Sequence, residues 1–181
     1  MADETLLARA CLKCVDFCRQ ISYHRQMAPY IEKLRNNYFI YSFNNFIDLA
    51  VLDFCHLFGS HSDDLHWKKI VKNPDDFKSN LLKELKLTDE EWKKYRESVK
   101  EYRDKDVAHI EIRPTSNVPD MTIATKAIVF YYNSIIQELK QHEKYKMFLD
   151  DLSIYFDQLE GLTGKFIKEK ISPLFDYIDA T

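Results

Sequence analysis

An all-α fold, built as a single helical bundle, is predicted by three observations. The 181-residue chain holds only three Gly and five Pro, too few for a protein built on hairpins and tight turns. Apolar residues recur at spacings of three and four through most of its length. The one alternating stretch, "HIEIRP" at 109–114, is too short to build a sheet. The length suits one domain with one core, so residues 1–181 are expected to form a single unit of about five long helices plus a short one.

The first helix is expected from Asp3 to Arg25, with Leu7, Cys11, Cys14, Cys18 and Ile21 on one face. Pro29 then fits the first turn of a second helix, expected from Tyr30 to Phe58. Phe39, Phe43, Phe46, Ile47, Ala50, Val51, Phe54 and Leu57 make this helix apolar on more than one side. Such a helix is expected at the centre of a bundle or at a subunit interface. "GSHSDDLH" breaks it with a polar turn carrying His61 and His66, and a short helix is expected from Trp67 to Val71.

Asn73-Pro74-Asp75-Asp76 is a helix start, with a capping side chain, Pro at the first position and acids in the first turn. This helix is expected to end near Leu87. Thr88 to Glu91 is a capping box that opens the next helix, anchored by Trp92, Val99 and Tyr102 and carrying Arg103 in its last part. Pro114 and the "PTSNVP" segment stop it. Two more helices are expected, from Pro119 to Tyr145 and from Asp151 to Ile178, the last weakened or kinked by Gly161, Gly164 and Pro173. The second and fifth helices are expected to be the longest.

Aromatic residues make up 14% of the chain and charged residues 30%, which favours a soluble helical protein with a large aromatic interior. The net charge of -3 gives no global attraction to nucleic acid or to a membrane surface. The start "MADETLLARACLKCV" lacks a basic segment followed by an apolar core, and no stretch is apolar for long enough to span a bilayer. A cytoplasmic protein with no membrane association is expected. Cys11, Cys14, Cys18 and Cys55 provide one helical cluster and no second CxxC pair, so small buried apolar residues are expected rather than a metal site. His61 and His66 with Asp63 and Asp64 are read as helix caps and solvated side chains. No cofactor and no metal are expected.

The stretch "EYRDKDVAHIEIRP" at 101–114 places Arg103 and His109 where a helix must stop. Six residues on a regular helix turn through about 240°, so the two side chains converge only if the helix loosens or if another chain completes the pocket. Spacing alone favours a structural role. Arg103 would then pair with Glu97, Glu101 or Asp106, and His109 would cap a helix C-terminus. From Thr88 to Pro114, seven Lys and Arg face eight Asp and Glu, so the segment is near neutral. Lys68, Lys69 and Lys72 are either a local basic patch or a solvated face.

"YRDKDVAHIEIRP" resembles the signature of the HEPN superfamily, an Arg, a polar residue, a few more residues and a His. Its "RDKxVAH" form, the long aromatic second helix and the Pro after the His are most similar to the AbiU-type branch of abortive-infection proteins. The matching context covers roughly residues 30 to 140. The resemblance implies a homodimer formed about the motif helices and, in active members, metal-independent cleavage of RNA to 2′,3′-cyclic phosphate ends. It implies His109 as the acid/base, Arg103 as the phosphate-binding residue, and Asp104 as the polar position that orients one of them. An acidic or polar residue on an earlier helix often faces the motif in active members, and Asp48, Asp53 and Asn44 are the candidates here. The implied function is a toxin or effector in phage defence or in a toxin–antitoxin system, with an RNA substrate and an antitoxin or nucleotidyltransferase as partners. The alternative is a non-catalytic dimerisation module of the same fold, because fold does not grant function.

Overall fold

The structure, a computed structural model, describes residues 3–107 and 118–175. Among the described residues seven α-helices follow in order: α1 Glu4–Met27, α2 Asn37–Phe58, α3 Trp67–Ile70, α4 Pro74–Leu85, α5 Asp89–Tyr102, α6 Thr122–Leu139 and α7 Leu152–Phe166. No strand occurs among the described residues. The all-α expectation holds.

Several starts follow their local signals. Asp3 caps α1 by accepting from the Thr5 amide at 2.9 Å. Asn73 caps α4, with Pro74 in its first turn. The box at α5 closes in both directions, as the Thr88 hydroxyl accepts from the Glu91 amide at 3.2 Å and the Glu91 carboxylate accepts from the Thr88 amide at 2.8 Å.

Other boundaries move. The second helix starts at Asn37 and not at Tyr30. Pro29 opens a separate 3₁₀ turn, Ala28–Lys33, and the chain becomes extended at Leu34 before Asn36 caps α2. The reason is tertiary: Leu34 is buried, and the Arg35 amide donates to the Phe175 carbonyl at 3.0 Å. The sixth helix ends at Leu139, followed by short turns. The last α-helix ends at Phe166, passes into a π turn at Ile167–Ile171 and then a 3₁₀ turn at Ser172–Leu174. Gly161 and Gly164 lie inside regular α-helix, and Pro173 sits in the 3₁₀ turn.

The centre of the bundle is α1, not α2. At 24 residues α1 is the longest helix, α2 follows with 22, and α5 has 14. α1 packs along α2, α6 and α7. Its buried face mixes small residues, Ala8, Ala10, Cys11, Cys14 and Cys18, with larger ones, Leu7, Phe17 and Ile21, and three helices pack against it. α2 is buried through Ile47, Ala50, Val51, Phe54 and Leu57, but it leaves Tyr38, Tyr41 and Leu49 exposed. Its apolar surround therefore exceeds what its neighbours cover.

Aromatic contacts hold α5 to the rest. Trp92 meets the ring of Phe58 edge-on with centroids 5.5 Å apart, and Phe58 continues to Tyr131 on α6 at 5.6 Å. Arg96 donates to the Phe58 carbonyl at 3.2 Å, placing a cation at the C-terminal end of α2. The Tyr95 hydroxyl donates to the Asp120 carbonyl at 2.8 Å and accepts from the Ala124 amide, joining α5 to the start of α6. Met27, Leu34, Phe43, Ile167 and Phe175 form a second, smaller apolar cluster.

At two glycines an added Cβ would meet a close neighbour, backbone at Gly59 and a side-chain amide at Gly164. A Cβ on Gly59 would lie 2.5 Å from the Cys55 carbonyl oxygen. A Cβ on Gly164 would lie 2.7 Å from Oε1 of Gln26, where α7 crosses α1.

Candidate functional site

α5 ends at Tyr102, and Arg103–Val107 continue as a π turn packed against α2. Single π turns of this kind are frequent at functional sites. Arg103 is its first residue. The side chain is 22% exposed, and its Nε and Nη2 both donate to Oδ1 of Asp104, at 2.8 and 2.5 Å. Asp104 thus meets Arg103, its neighbour in the chain. Of the acids offered for a purely structural role, Glu101 pairs with Lys105.

Beneath the guanidinium lies Cys55 of α2, 3% exposed. Burial pushes its thiol up to about 11, and the charge and hydrogen bond of Arg103 pull the other way. One residue earlier, the Tyr102 hydroxyl donates to Oδ1 of Asp48 at 3.0 Å. Burial raises the Asp48 carboxyl above its ordinary value; the Tyr102 hydrogen bond lowers it, and the charge of Asp106 raises it again. The same desolvation, with the Asp48 charge beside it, pushes the Tyr102 phenol well above its ordinary value.

Of the three candidates on α2, Asp48 therefore faces the motif turn. Asp53 faces the other way, toward α1. It is 3% exposed and accepts from Lys13 Nζ at 2.6 Å and from Gln20 Nε2 at 3.4 Å. Burial raises its carboxyl, with Lys13 as the main opposing influence. Five residues on a helix turn through about 500°, so Asp48 and Asp53 cannot share a face. Asn44, one turn before Asp48, is exposed to solvent. His109 and Pro114 lie outside the described residues, so the pairing of Arg103 with His109 does too.

Sequence reasoning passed over Cys55 and Tyr102 as parts of this site. The signal was present for Cys55, which stands seven residues after Asp48 and so lies on the same stripe of α2. Tyr102 had been read as an apolar anchor, and its hydroxyl does the positioning.

The remaining sequence candidates are accounted for by packing. Lys69 pairs with Asp64 at 3.5 Å and donates to the Ser62 carbonyl at 2.9 Å, while Lys72 pairs with Glu138 at 3.3 Å. Lys68 lies over the Trp67 ring. These lysines form no open basic patch. His66 is buried, not solvated, and caps α3 by accepting from the Lys68 amide at 3.3 Å. Burial, with help from nearby cationic groups, pushes it down to about 4. Cys11, Cys14 and Cys18 are core residues, and burial pushes their thiols up, to about 12 for Cys11 and Cys18. Among the described residues no three His, Cys, Asp or Glu converge as a metal site, and no helix is long and apolar enough to cross a membrane.

No protein-family model, curated protein or solved structure matches the chain.

Proposed function

We propose that the chain is a HEPN-type, metal-independent endoribonuclease that works as a homodimer in the cytoplasm, as a toxin or effector of phage defence or of a toxin–antitoxin system. The observation that carries this reading is the setting of Arg103. It is held part-buried in a π turn against α2, with Asp104 fixing its guanidinium and the Tyr102–Asp48 hydrogen bond anchoring the turn. A guanidinium has five N–H donors, and the two bonded to Asp104 leave others for a phosphate.

The chemistry is balanced by groups on the substrate and the motif. The RNA 2′-hydroxyl attacks the adjacent phosphorus, and His109 takes its proton. Negative charge gathers on the non-bridging oxygens, where Arg103 stabilises it. The 5′-oxygen of the next nucleotide leaves and is protonated. The products are a 2′,3′-cyclic phosphate and a free 5′-hydroxyl. No hydroxide has to be generated, so no metal is needed for this step.

The second reading, a non-catalytic dimerisation module, is favoured by one observation: Arg103 is already neutralised by Asp104. An assay on single-stranded RNA in EDTA separates the two. Cleavage to cyclic phosphate ends, lost in Arg103→Ala and His109→Ala, supports the enzyme. A dimer inactive on every RNA offered supports the module.

A further inference from the structure

Where α1 meets the last turn of α2 and the turn that follows it, Arg9, Lys13, His56, Asp63, Asp64 and Leu65 line an open pocket of about 200 Å³. Arg9 and Lys13 stand four residues apart on α1 and so share one face. The carboxylates at this place are already engaged. The buried Asp53 accepts from Lys13 Nζ at 2.6 Å and from Gln20 Nε2 at 3.4 Å. One oxygen of Asp63 accepts from the Leu65 amide at 3.3 Å, and the other meets His56 Nδ1 at 2.7 Å. Asp64 pairs with Lys69 at 3.5 Å.

The donors are not used up. Arg9 is exposed, and its side chain makes no ion pair or hydrogen bond among the described residues, so its five N–H groups are open. Lys13 gives Asp53 one of its three N–H groups and keeps two. A carboxylate only accepts, so the contact with Asp63 places a proton on His56 Nδ1 and leaves Nε2 as the ring nitrogen without a partner among the described residues. The open hydrogen-bonding capacity of the wall therefore belongs to two cations and one imidazole nitrogen. Three such groups about one small space complement a small anion with at least three oxygens. The imidazole narrows the choice. Nε2 accepts from a phosphate hydroxyl when His56 is neutral and donates to a phosphate oxygen when it is protonated, whereas sulfate brings no proton to share. The volume falls below the roughly 300–1,000 Å³ of drug-sized sites, so the pocket has room for a phosphate group and little beyond it.

We propose that this pocket binds a phosphate group, as inorganic phosphate or as the terminal phosphate of a monoester. Arg9 and Lys13 hold its oxygens, His56 Nε2 shares a proton with it, and Asp63 orients His56. The inference does not rest on the ribonuclease reading.

The test is calorimetric titration of the full chain with inorganic phosphate and with methyl phosphate, near neutral pH and at low salt. Saturable binding at one site is expected. Dimethyl phosphate, with a single charge and no proton to share, should bind at least about tenfold more weakly. Equal or tighter binding of methyl phosphate marks a site for the terminal phosphate of a larger molecule, and preference for inorganic phosphate marks a site for the free ion. Arg9→Ala removes no contact within the fold, so its thermal transition should match that of the wild type while its affinity falls roughly ten- to hundredfold, the worth of a hydrogen bond to a charged group. His56→Ala should weaken binding by a similar factor. Lys168→Ala, exposed and outside the pocket, should leave the affinity unchanged. Absence of saturable binding of either ligand, sulfate bound as tightly as phosphate, an affinity unchanged in Arg9→Ala, or an equal loss in Lys168→Ala overturns the proposal.

Discussion

Tyr102 donates its hydroxyl to Asp48 across the contact between α5 and α2, one residue before the arginine of the motif. The bond joins the end of one helix to the middle of another at the place where α-helical winding gives way to a π turn. The turn that begins with Arg103 is thus tied to α2 through a residue that carries no charge, while Asp104 holds the guanidinium itself.

Tyr102→Phe is expected to destabilise the protein by about 1 kcal/mol, the usual net worth of such a hydrogen bond. Urea unfolding measures this. If the bond also positions Arg103, cleavage in the folded variant should fall while RNA binding changes little. Equal losses in stability and none in activity would limit the bond to a structural role.

The pH dependence of stability should contain two opposing parts. Asp48 and Asp53 are raised in the folded state, so the folded chain holds their protons more tightly, and their contribution to stability is lost as pH rises above 3.8 through the folded values. His66 is lowered from 6.5 to about 4, so its contribution is present above 6.5 and lost as pH falls toward 4. Asp48→Asn should flatten the falling part. His66→Asn, which can still cap α3, should flatten the rising part by an amount on the order of 2 kcal/mol. Unfolding curves from pH 4 to 7 that are parallel for wild type and His66→Asn would refute the assignment.

The two glycines of α7 should answer differently to alanine. At Gly161 a Cβ meets nothing within 4 Å, so Gly161→Ala should stabilise by about 0.5–1 kcal/mol through helix propensity alone. At Gly164 the Cβ displaces the Gln26 side chain and breaks its hydrogen bond to Glu160, 3.1 Å long. A hydrogen bond to a charged group outweighs the propensity gain, so Gly164→Ala should destabilise by about 1 kcal/mol. Thermal melts of the two variants shifting in the same direction would contradict this contrast.

All four thiols are buried and held far from ionisation. Native protein at pH 8 should therefore react with a thiol reagent only as fast as it unfolds, with Cys55 no faster than the other three. Rapid modification of Cys55 would show that Arg103 swings away from it.

Catalysis makes the last demand. His109→Ala should lose about 100- to 10,000-fold in cleavage, the usual range for a general acid or base. Arg103→Ala should lose roughly 100- to 1,000-fold, the range for a removed donor to a developing oxyanion. Circular dichroism should show both variants folded. Activity that requires added Mg²⁺, or that survives His109→Ala, would reject the mechanism.

The amino-acid sequence by itself determined where α4 and α5 begin. Their signals are Asn73-Pro74 and the Thr88–Glu91 box, and each is complete within four residues, so no distant contact is needed to satisfy it. It also determined the all-helical class and the burial of the α1 cysteines, because both follow from a spacing repeated along one helix. Tertiary structure decided the rest. Helix α2 begins at Asn37 because Leu34 must be buried and Arg35 must meet Phe175, which is distant in the chain. α1 takes the centre because α2, α6 and α7 all pack on it, a pairing that an apolar count, which favours α2, does not contain. Asp48 and Asp53 look alike in sequence, yet one meets Tyr102 and the other Lys13. Their angular separation on α2 shows that they must part. Only the packing of α5 on one side and α1 on the other decides which of them faces the motif.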